Sequence, residues 1–230
     1  MIGGRAITSA SIGQVELWPD SRLEATGVTR GSGAPGDRSR WSGPLVLVLV
    51  HGPSGVGKST LAGPLGAALG LVVLDRDALK DPLFETLGWS DRQWSERIGA
   101  ASWALMHSFV DRLLGSGVSL LLDTNFRPGE LAPARFLARC REVGAVPIEI
   151  GLTAPPEVAW RRVKERRHRG GRHPGHVGFE AVEDYVADAA GRPHGPLGFG
   201  DIVLTYDASA AAPVADVVAD DLVRALGGRP

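Results

Sequence analysis

The chain has 230 residues, 43% of them hydrophobic, with 31 Gly, 16 Pro, one Cys and a formal net charge of −1. That length suits one ordinary domain, or one domain with a tail, and the apolar content is enough to bury a core. A single Cys excludes an intramolecular disulfide framework, and the near-zero charge argues against a globally basic nucleic-acid binder.

The longest purely apolar run is Leu45–Val50, far short of the ~20 residues of a membrane span. The N-terminus lacks a basic flank followed by an apolar stretch, so no signal peptide is expected and the expected setting is cytoplasmic. Residues 1–44 hold eight Gly and no sustained apolar periodicity, and Gly31–Asp37 has linker composition. They are expected to form a poorly ordered extension, or else a small hairpin appended to a domain spanning 45–230.

From residue 45 strands and helices alternate. Leu45–Val50 reads as a strand buried on both faces. A Gly-rich turn follows, then a helix over 59–69 with Leu61, Leu65 and Leu69 at i, i+4 and i+8. Leu71–Leu74 is a second strand, ending at Asp75. Ser90-Asp-Arg-Gln93 fits a capping box, with Trp89 and Trp94 as its hydrophobic staple. It opens a long helix whose expected buried stripe is Trp94, Ile98, Ala101, Leu105, Phe109 and Leu113, closed by Gly115–Gly117. Val118–Leu122 is a third strand, before Asp123. A helix over 131–143 breaks at Gly144, and 145–152 is a fourth strand despite Pro147. Residues 155–169 read as a basic helix, 170–178 as a loop, 201–206 as a fifth strand and 214–226 as a closing helix. This pattern predicts an α/β protein with a five-stranded, mostly parallel sheet.

Gly52-Pro-Ser-Gly-Val-Gly-Lys-Ser59 matches G-x-x-x-x-G-K-[ST], with a buried strand before it and an amphipathic helix after it. Glycines allow the loop to turn its backbone N–H groups inward, and the helix N-terminus adds the positive end of its dipole. The expected nucleotide-binding residues are Gly52, Ser54, Gly55, Val56, Gly57, Lys58, Ser59 and Thr60. Lys58 supplies a point charge for the outer phosphates, and the Ser59 hydroxyl is suited to Mg2+. Asp75, Asp77 and Asp123 follow the carboxyl ends of the second and third strands, the edge where open α/β sheets bind ligands. Asp77 is either a catalytic group or a helix N-cap, two compatible roles. Asp123 is either a Mg2+ carboxylate acting through water or a turn residue. Asn125 either contacts an acceptor hydroxyl or makes an Asx-turn.

Residues 161–176 hold seven Lys or Arg, three His and one Glu. Arg162, Arg166 and Arg169 share a helical face, and guanidinium groups stabilise the charge of a transferring phosphoryl. The alternative is an ordinary solvated helix face. Arg172 is a further candidate contact. His173 and His176 have a spacing open to a metal, but with no Cys nearby a structural or hinge role is expected. Cys140 reads as a core thiol. Trp94, Trp103 and Phe109 read as core, with Trp89 and Phe126 as candidates for an acceptor pocket.

The phosphate loop followed by Asp75-Arg-Asp77 resembles the P-loop small-molecule and nucleic-acid kinases, a group of AAA-type ATP-binding proteins. It includes gluconate kinase, chloramphenicol phosphotransferase, adenylylsulfate kinase, polynucleotide 5′-kinases and zeta-type toxins. The resemblance covers residues 45–226. It implies a three-layer P-loop NTPase fold with a mobile basic lid over about 155–180, and an ATP- and Mg2+-dependent transfer of phosphate to a hydroxyl. It further implies Asp77 as base, Lys58, Arg162 and Arg166 at the transferring phosphoryl, Ser59 and Asp123 at the metal, and Lys80 and Asn125 on the acceptor. The expected partners are a nucleoside triphosphate and a small-molecule acceptor, with no membrane. Residues 177–223 carry nine acids against one Arg, which disfavours a long nucleic acid. A polynucleotide 5′-kinase, a zeta-toxin-like nucleotide-sugar kinase and a non-catalytic ATP-binding switch are the competing readings.

Overall fold

A computed structural model describes residues 41, 43–170 and 172–227. The expectation of a Gly-rich extension therefore lies almost wholly outside the described residues. Five strands, β1 (Val46–His51), β2 (Val72–Asp75), β3 (Leu120–Asp123), β4 (Val146–Thr153) and β5 (Ile202–Asp207), form one sheet in the order β2-β3-β1-β4-β5. Every pairing is parallel. Seven helices connect and cover them: α1 (Lys58–Leu69), α2 (Arg76–Leu87), α3 (Arg92–Gly115), α4 (Leu131–Val143), α5 (Pro156–His168), α6 (Val182–Gly191) and α7 (Ala215–Gly227). The α/β class and the five-stranded parallel sheet are as expected.

The period-2 geometry of a strand divides the core into two layers. Val46, Val48 and Val50 of β1 pack with Leu61 and Leu65 of α1 and Val218 and Leu222 of α7. Leu47 and Leu49 face the other way, onto Met106 and Val110 of α3 and Phe136 and Cys140 of α4. The all-apolar β1 is thus buried on both sides, as a central parallel strand requires. A third, smaller cluster joins α5 and α6 through Ala159, Trp160, Val163 and Tyr185.

Pro147 is tolerated inside β4 because of where the neighbouring strand begins. Val146 N–H donates to Leu45 of the β1 side, so the missing N–H at the next residue faces the β5 side. There the ladder starts only at the Ile148–Ile202 pair, so no bond is lost.

Three expectations need correction. The cap of α3 is Asp91, not Ser90: its carboxylate accepts from Trp94 N–H at 2.9 Å, and Trp89 stays half-exposed. The buried face of α3 is Ser95, Ile98, Gly99, Ser102, Met106, Val110 and Leu114, rotated from the expected stripe, and Leu105 and Phe109 are exposed. Small and hydroxyl residues take the N-terminal half of that face because α2 packs there. Helix α6 was not expected at all, and its buried side chain is Tyr185 alone. Among the described residues, no helix is long and apolar enough to cross a membrane.

Candidate functional site

The turn from β1 into α1 brings the phosphate loop to the carboxyl end of the sheet. Gly57 is the N-cap of α1 with φ 105°, and no side chain caps the helix. The first intrahelical bond of this turn runs from Leu61 N–H to Gly57 O. The N–H groups ahead of it are left for an anion. Gly55, with φ 85°, lies against α5: a Cβ there would sit 2.2 Å from Ala159 O. The Tyr185 hydroxyl of α6 donates to Ser54 O at 2.7 Å. Both α5 and α6 therefore touch the loop directly.

A cavity of about 370 Å3 opens over this loop, lined by Lys58, Ser59, Thr60, Asp75, Arg76, Asp77, Asp123, Asn125, Arg162, Arg166 and Arg172. Register explains the acids. Asp75 and Asp123 are paired at the ends of β2 and β3, and Asp123 is also paired with Val50 of β1. The Ser59 hydroxyl donates to Asp123 Oδ2 at 2.5 Å. Burial raises the Asp123 pKa to about 6, opposed by Lys58 and the Ser59 bond and reinforced by Asp75 and Asp77. Lys58 Nζ donates to Gly52 O at 3.0 Å and Pro53 O at 2.9 Å. Burial lowers its pKa, with Asp123 and Asp77 acting against that.

Asp75, not Asp77, caps α2: its carboxylate accepts from Asp77 N–H at 2.8 Å. The Asp77 carboxylate is thereby left to the cavity. It meets Arg172 Nη2 at 3.2 Å and His176 Nδ1 at 3.7 Å. Burial works to raise the Asp77 pKa, but Arg172, His176, Arg76 and Lys80 outweigh it and hold the carboxyl below its usual range. Asp77 is thus ionised at neutral pH.

The model of the AAA domain family matches residues 47–191. The chain belongs to this family. A provisionally assigned kinase of Chloroflexus aurantiacus is 31% identical over 79% of this chain and 98% of its own, with TM-score 0.72. The PezAT toxin–antitoxin structure of Streptococcus pneumoniae (15% identity, 82% and 86% coverage, TM-score 0.54) shares the fold. So does a sugar kinase of Janibacter sp. (18% identity, 80% and 95% coverage, TM-score 0.50). No curated protein matches the chain. The fold is that of the P-loop kinases.

Within this kinase fold the expected residues do not all sit together. Arg162 lines the cavity but spends its donors on Ala208 O, Ser209 O and Ala210 O at 2.8, 2.9 and 3.1 Å, holding the loop after β5. Arg166 and Arg172 are the cations close enough to lower the Lys58 pKa. Asn125 lines the first cavity and a second one of about 270 Å3 beneath α5 and α6. Lys80 does not reach the first cavity. It is buried against α3 and lines a third cavity.

His173 and His176 bind carboxylates of α2: His173 Nε2 lies 3.3 Å from Glu85 Oε1, and His176 Nε2 lies 2.6 Å from Asp81 Oδ1. Both rings pack on Phe84. They fasten the segment after α5 to α2, a structural role. Trp103 and Phe126 stack on each other at 4.8 Å, and Phe126 belongs to the core. Arg76 was overlooked, although it stands between the two singled-out aspartates. It donates to Asn125 Oδ1 at 3.2 Å and lies over the Trp103 ring at 4.5 Å. The signal was the Asp-Arg-Asp tripeptide itself.

Proposed function

We propose that the protein transfers the γ-phosphate of ATP, with Mg2+, to a hydroxyl of a small-molecule acceptor. The observation that carries this reading is the convergence of Lys58, Ser59, Asp123 and Asp77 on one cavity with Arg166 and Arg172 of the lid.

The residues fit Mg2+. Ser59 and Asp123 offer hard oxygen donors in contact with each other, and Asp75 and Asp77 add negative field. Among the described residues no group of three or more His, Cys, Asp or Glu forms a metal cage. Mg2+ is commonly held by one or two carboxylates plus substrate phosphates. When bound, Mg2+ neutralises charge on the β- and γ-phosphate oxygens. The loop N–H groups hold the phosphates, and Lys58 leaves its two loop carbonyls to meet the outer ones. Arg166 adds positive charge at the transferring group. Asp77 accepts the proton of the attacking hydroxyl or orients it. Helices α5 and α6 brace the phosphate loop through their contacts with Gly55 and Ser54.

The test is Asp77→Asn, assayed for nucleotide binding by calorimetry and for ADP formation with an acceptor panel of sugars, sugar acids, nucleosides and oligonucleotides. Binding is expected to persist while transfer falls by about 10²–10⁴-fold, the usual contribution of a positioned acid or base. Transfer unaffected in the variant refutes the role of Asp77. Transfer confined to oligonucleotides refutes the small-molecule acceptor.

A further inference from the structure

The second cavity, of about 270 Å3, adjoins the phosphate cavity: Ser54, Asn125 and Arg172 line both. One of its walls is aromatic, built by Trp160 of α5, Tyr185 of α6 and Phe179 between them. The Trp160 and Tyr185 rings lie 5.5 Å apart, and Phe179 stands edge-on to Tyr185 at 5.8 Å. These side chains are fixed by bonds of their own. The Tyr185 hydroxyl is spent on Ser54 O, and Arg167 Nη1 donates to Phe179 O at 2.8 Å. A Cβ on Gly178 would sit 2.4 Å from Arg167 Nη2, so glycine beside Phe179 is what lets the guanidinium close in. The cavity is thus formed before any ligand arrives.

Most of the charge around it is already paired. Arg127 and Arg192 share Asp188, and Arg172 meets Asp77. Arg92 and Glu130, one of each sign, are exposed at the rim. Guanidinium planes, like aromatic rings, stack on flat π systems.

His194 lines the same cavity and supplies a directional group. Its Nδ1 lies 3.2 Å from Phe126 O. A carbonyl only accepts, so the proton sits on Nδ1 and Nε2 presents a lone pair. Among the described residues Nε2 has no hydrogen-bond partner. Burial, then Arg127 and Lys58, lower the His194 pKa to about 4, so the ring is neutral at pH 7. A neutral Nε2 calls for an N–H or O–H from the ligand, which an ionised carboxylate cannot give.

We infer that the second cavity holds the body of the phosphate acceptor, and that this body is a flat heterocycle with a hydrogen-bond donor on its edge, as in a nucleoside. This rests on the phosphotransfer reading. The ring stacks among Trp160, Phe179 and the guanidinium groups, and its edge donates to His194 Nε2. The hydroxyl reaches the phosphate cavity past Ser54, Asn125 and Arg172, towards Asp77. Its oxygen bonds to the γ-phosphorus, the bond from that phosphorus to ADP breaks, and the hydroxyl proton passes to Asp77. A cavity of this size suits a small molecule rather than a strand.

The test is direct binding, with the phosphate cavity first filled by Mg2+ and a non-hydrolysable ATP analogue. Adenosine, guanosine, cytidine, uridine and pyridoxine are compared with ribose, glucose, gluconate and a short oligonucleotide by calorimetry. At least one heterocycle is expected to bind 10-fold or more tightly than ribose and glucose. The nucleoside and pyridoxine arms identify the ring. Phe179 is only partly buried, so Phe179→Leu is expected to fold, to keep its affinity for the ATP analogue and to bind the heterocycle at least 10-fold more weakly. Phe179→Tyr restores the ring and is expected to restore binding. His194→Phe keeps a flat side chain, removes the acceptor nitrogen and is expected to weaken binding at least 5-fold. Melting temperatures of the variants separate these losses from misfolding.

Ribose or gluconate binding as tightly as every heterocycle overturns the inference. So does binding of the oligonucleotide alone, or heterocycle binding that survives Phe179→Leu unchanged. A heterocycle that binds in this way but receives no phosphate from ATP leaves the site standing and refutes the phosphotransfer reading instead.

Discussion

Glu149 is a carboxylate in the middle of the sheet, at 0% exposure on β4. Its Oε1 accepts from Leu197 N–H at 2.7 Å and from His51 Nε2 at 3.0 Å, and its Oε2 accepts from Phe199 N–H at 3.2 Å. One side chain thus ties the end of β1, which leads into the phosphate loop, to the segment that enters β5. Glu149→Gln keeps the shape and one acceptor oxygen. Its amide NH2 must then face a donor, and the natural loser is Phe199 N–H. The loss is one charge-assisted hydrogen bond plus an orphaned buried N–H, about 2–3 kcal/mol. Glu149→Met leaves all three donors unpaired and is expected to cost about 3–5 kcal/mol. With a urea slope of about 2 kcal/mol/M, the Gln variant moves the unfolding midpoint by roughly 1–1.5 M.

The pH dependence has a definite sign. Burial pushes the Glu149 pKa up, but the His51 bond and the two backbone N–H groups outweigh it and hold the carboxyl below its ordinary value. The stability it contributes is complete above the unfolded-state value, about 4.3, and is lost as pH falls through the folded value. The gap between wild type and Glu149→Gln is therefore expected to close at acid pH, where the protonated acid resembles glutamine. Urea titrations followed by circular dichroism across pH 3–7 read both quantities. A Gln variant within about 0.5 kcal/mol of wild type at pH 7 refutes the reasoning, as does a gap that does not change with pH.

Other expectations follow from contacts of the phosphate loop and lid. Gly55→Ala places a methyl 2.2 Å from Ala159 O at a φ of 85°, so it is expected to abolish measurable nucleotide binding by calorimetry and to lower the melting temperature. Arg162→Ala frees the carbonyls of Ala208, Ser209 and Ala210. Hydrogen exchange is expected to rise in residues 208–212 and nucleotide affinity to fall at least several-fold; unchanged exchange there argues against Arg162 as the holder of that loop. The Cys140 thiol is buried in the core, and burial pushes its pKa up to about 12. It is expected to resist thiol reagents at pH 8 until the domain unfolds.

Legibility in the sequence followed the distance over which each feature is built. The phosphate loop closes within eight consecutive residues, so its spacing alone identifies it. The acids after β2 and β3 were readable because a parallel sheet delivers its strand ends to one edge. The Glu149–His51 pair joins residues 98 apart, and no local pattern marks a glutamate flanked by isoleucines as anything but an interruption. Helix α6 buries only Tyr185, too little for an apolar stripe. Arg162 and Arg166 share a helical face, but only the structure reveals that the first is committed to loop carbonyls.

The misreading of α3 has a different cause, and it bears on function. Hydrophobic periodicity put Trp94, Leu105 and Phe109 inside, yet the helix turns Ser95, Gly99 and Ser102 inward and leaves Leu105 and Phe109 exposed. The Ser102 hydroxyl is satisfied by Gly99 O at 2.7 Å, so this polar stretch costs little. What it gains is room. A large apolar side chain at 99 would fill the space into which Arg76 and Lys80 extend. The face that fails the rule for a core helix is the face that lines the third cavity, and such local failures are expected where a chain gives up packing for a site. Lower in the helix, where Met106, Val110 and Leu114 meet the sheet core, the apolar pattern returns.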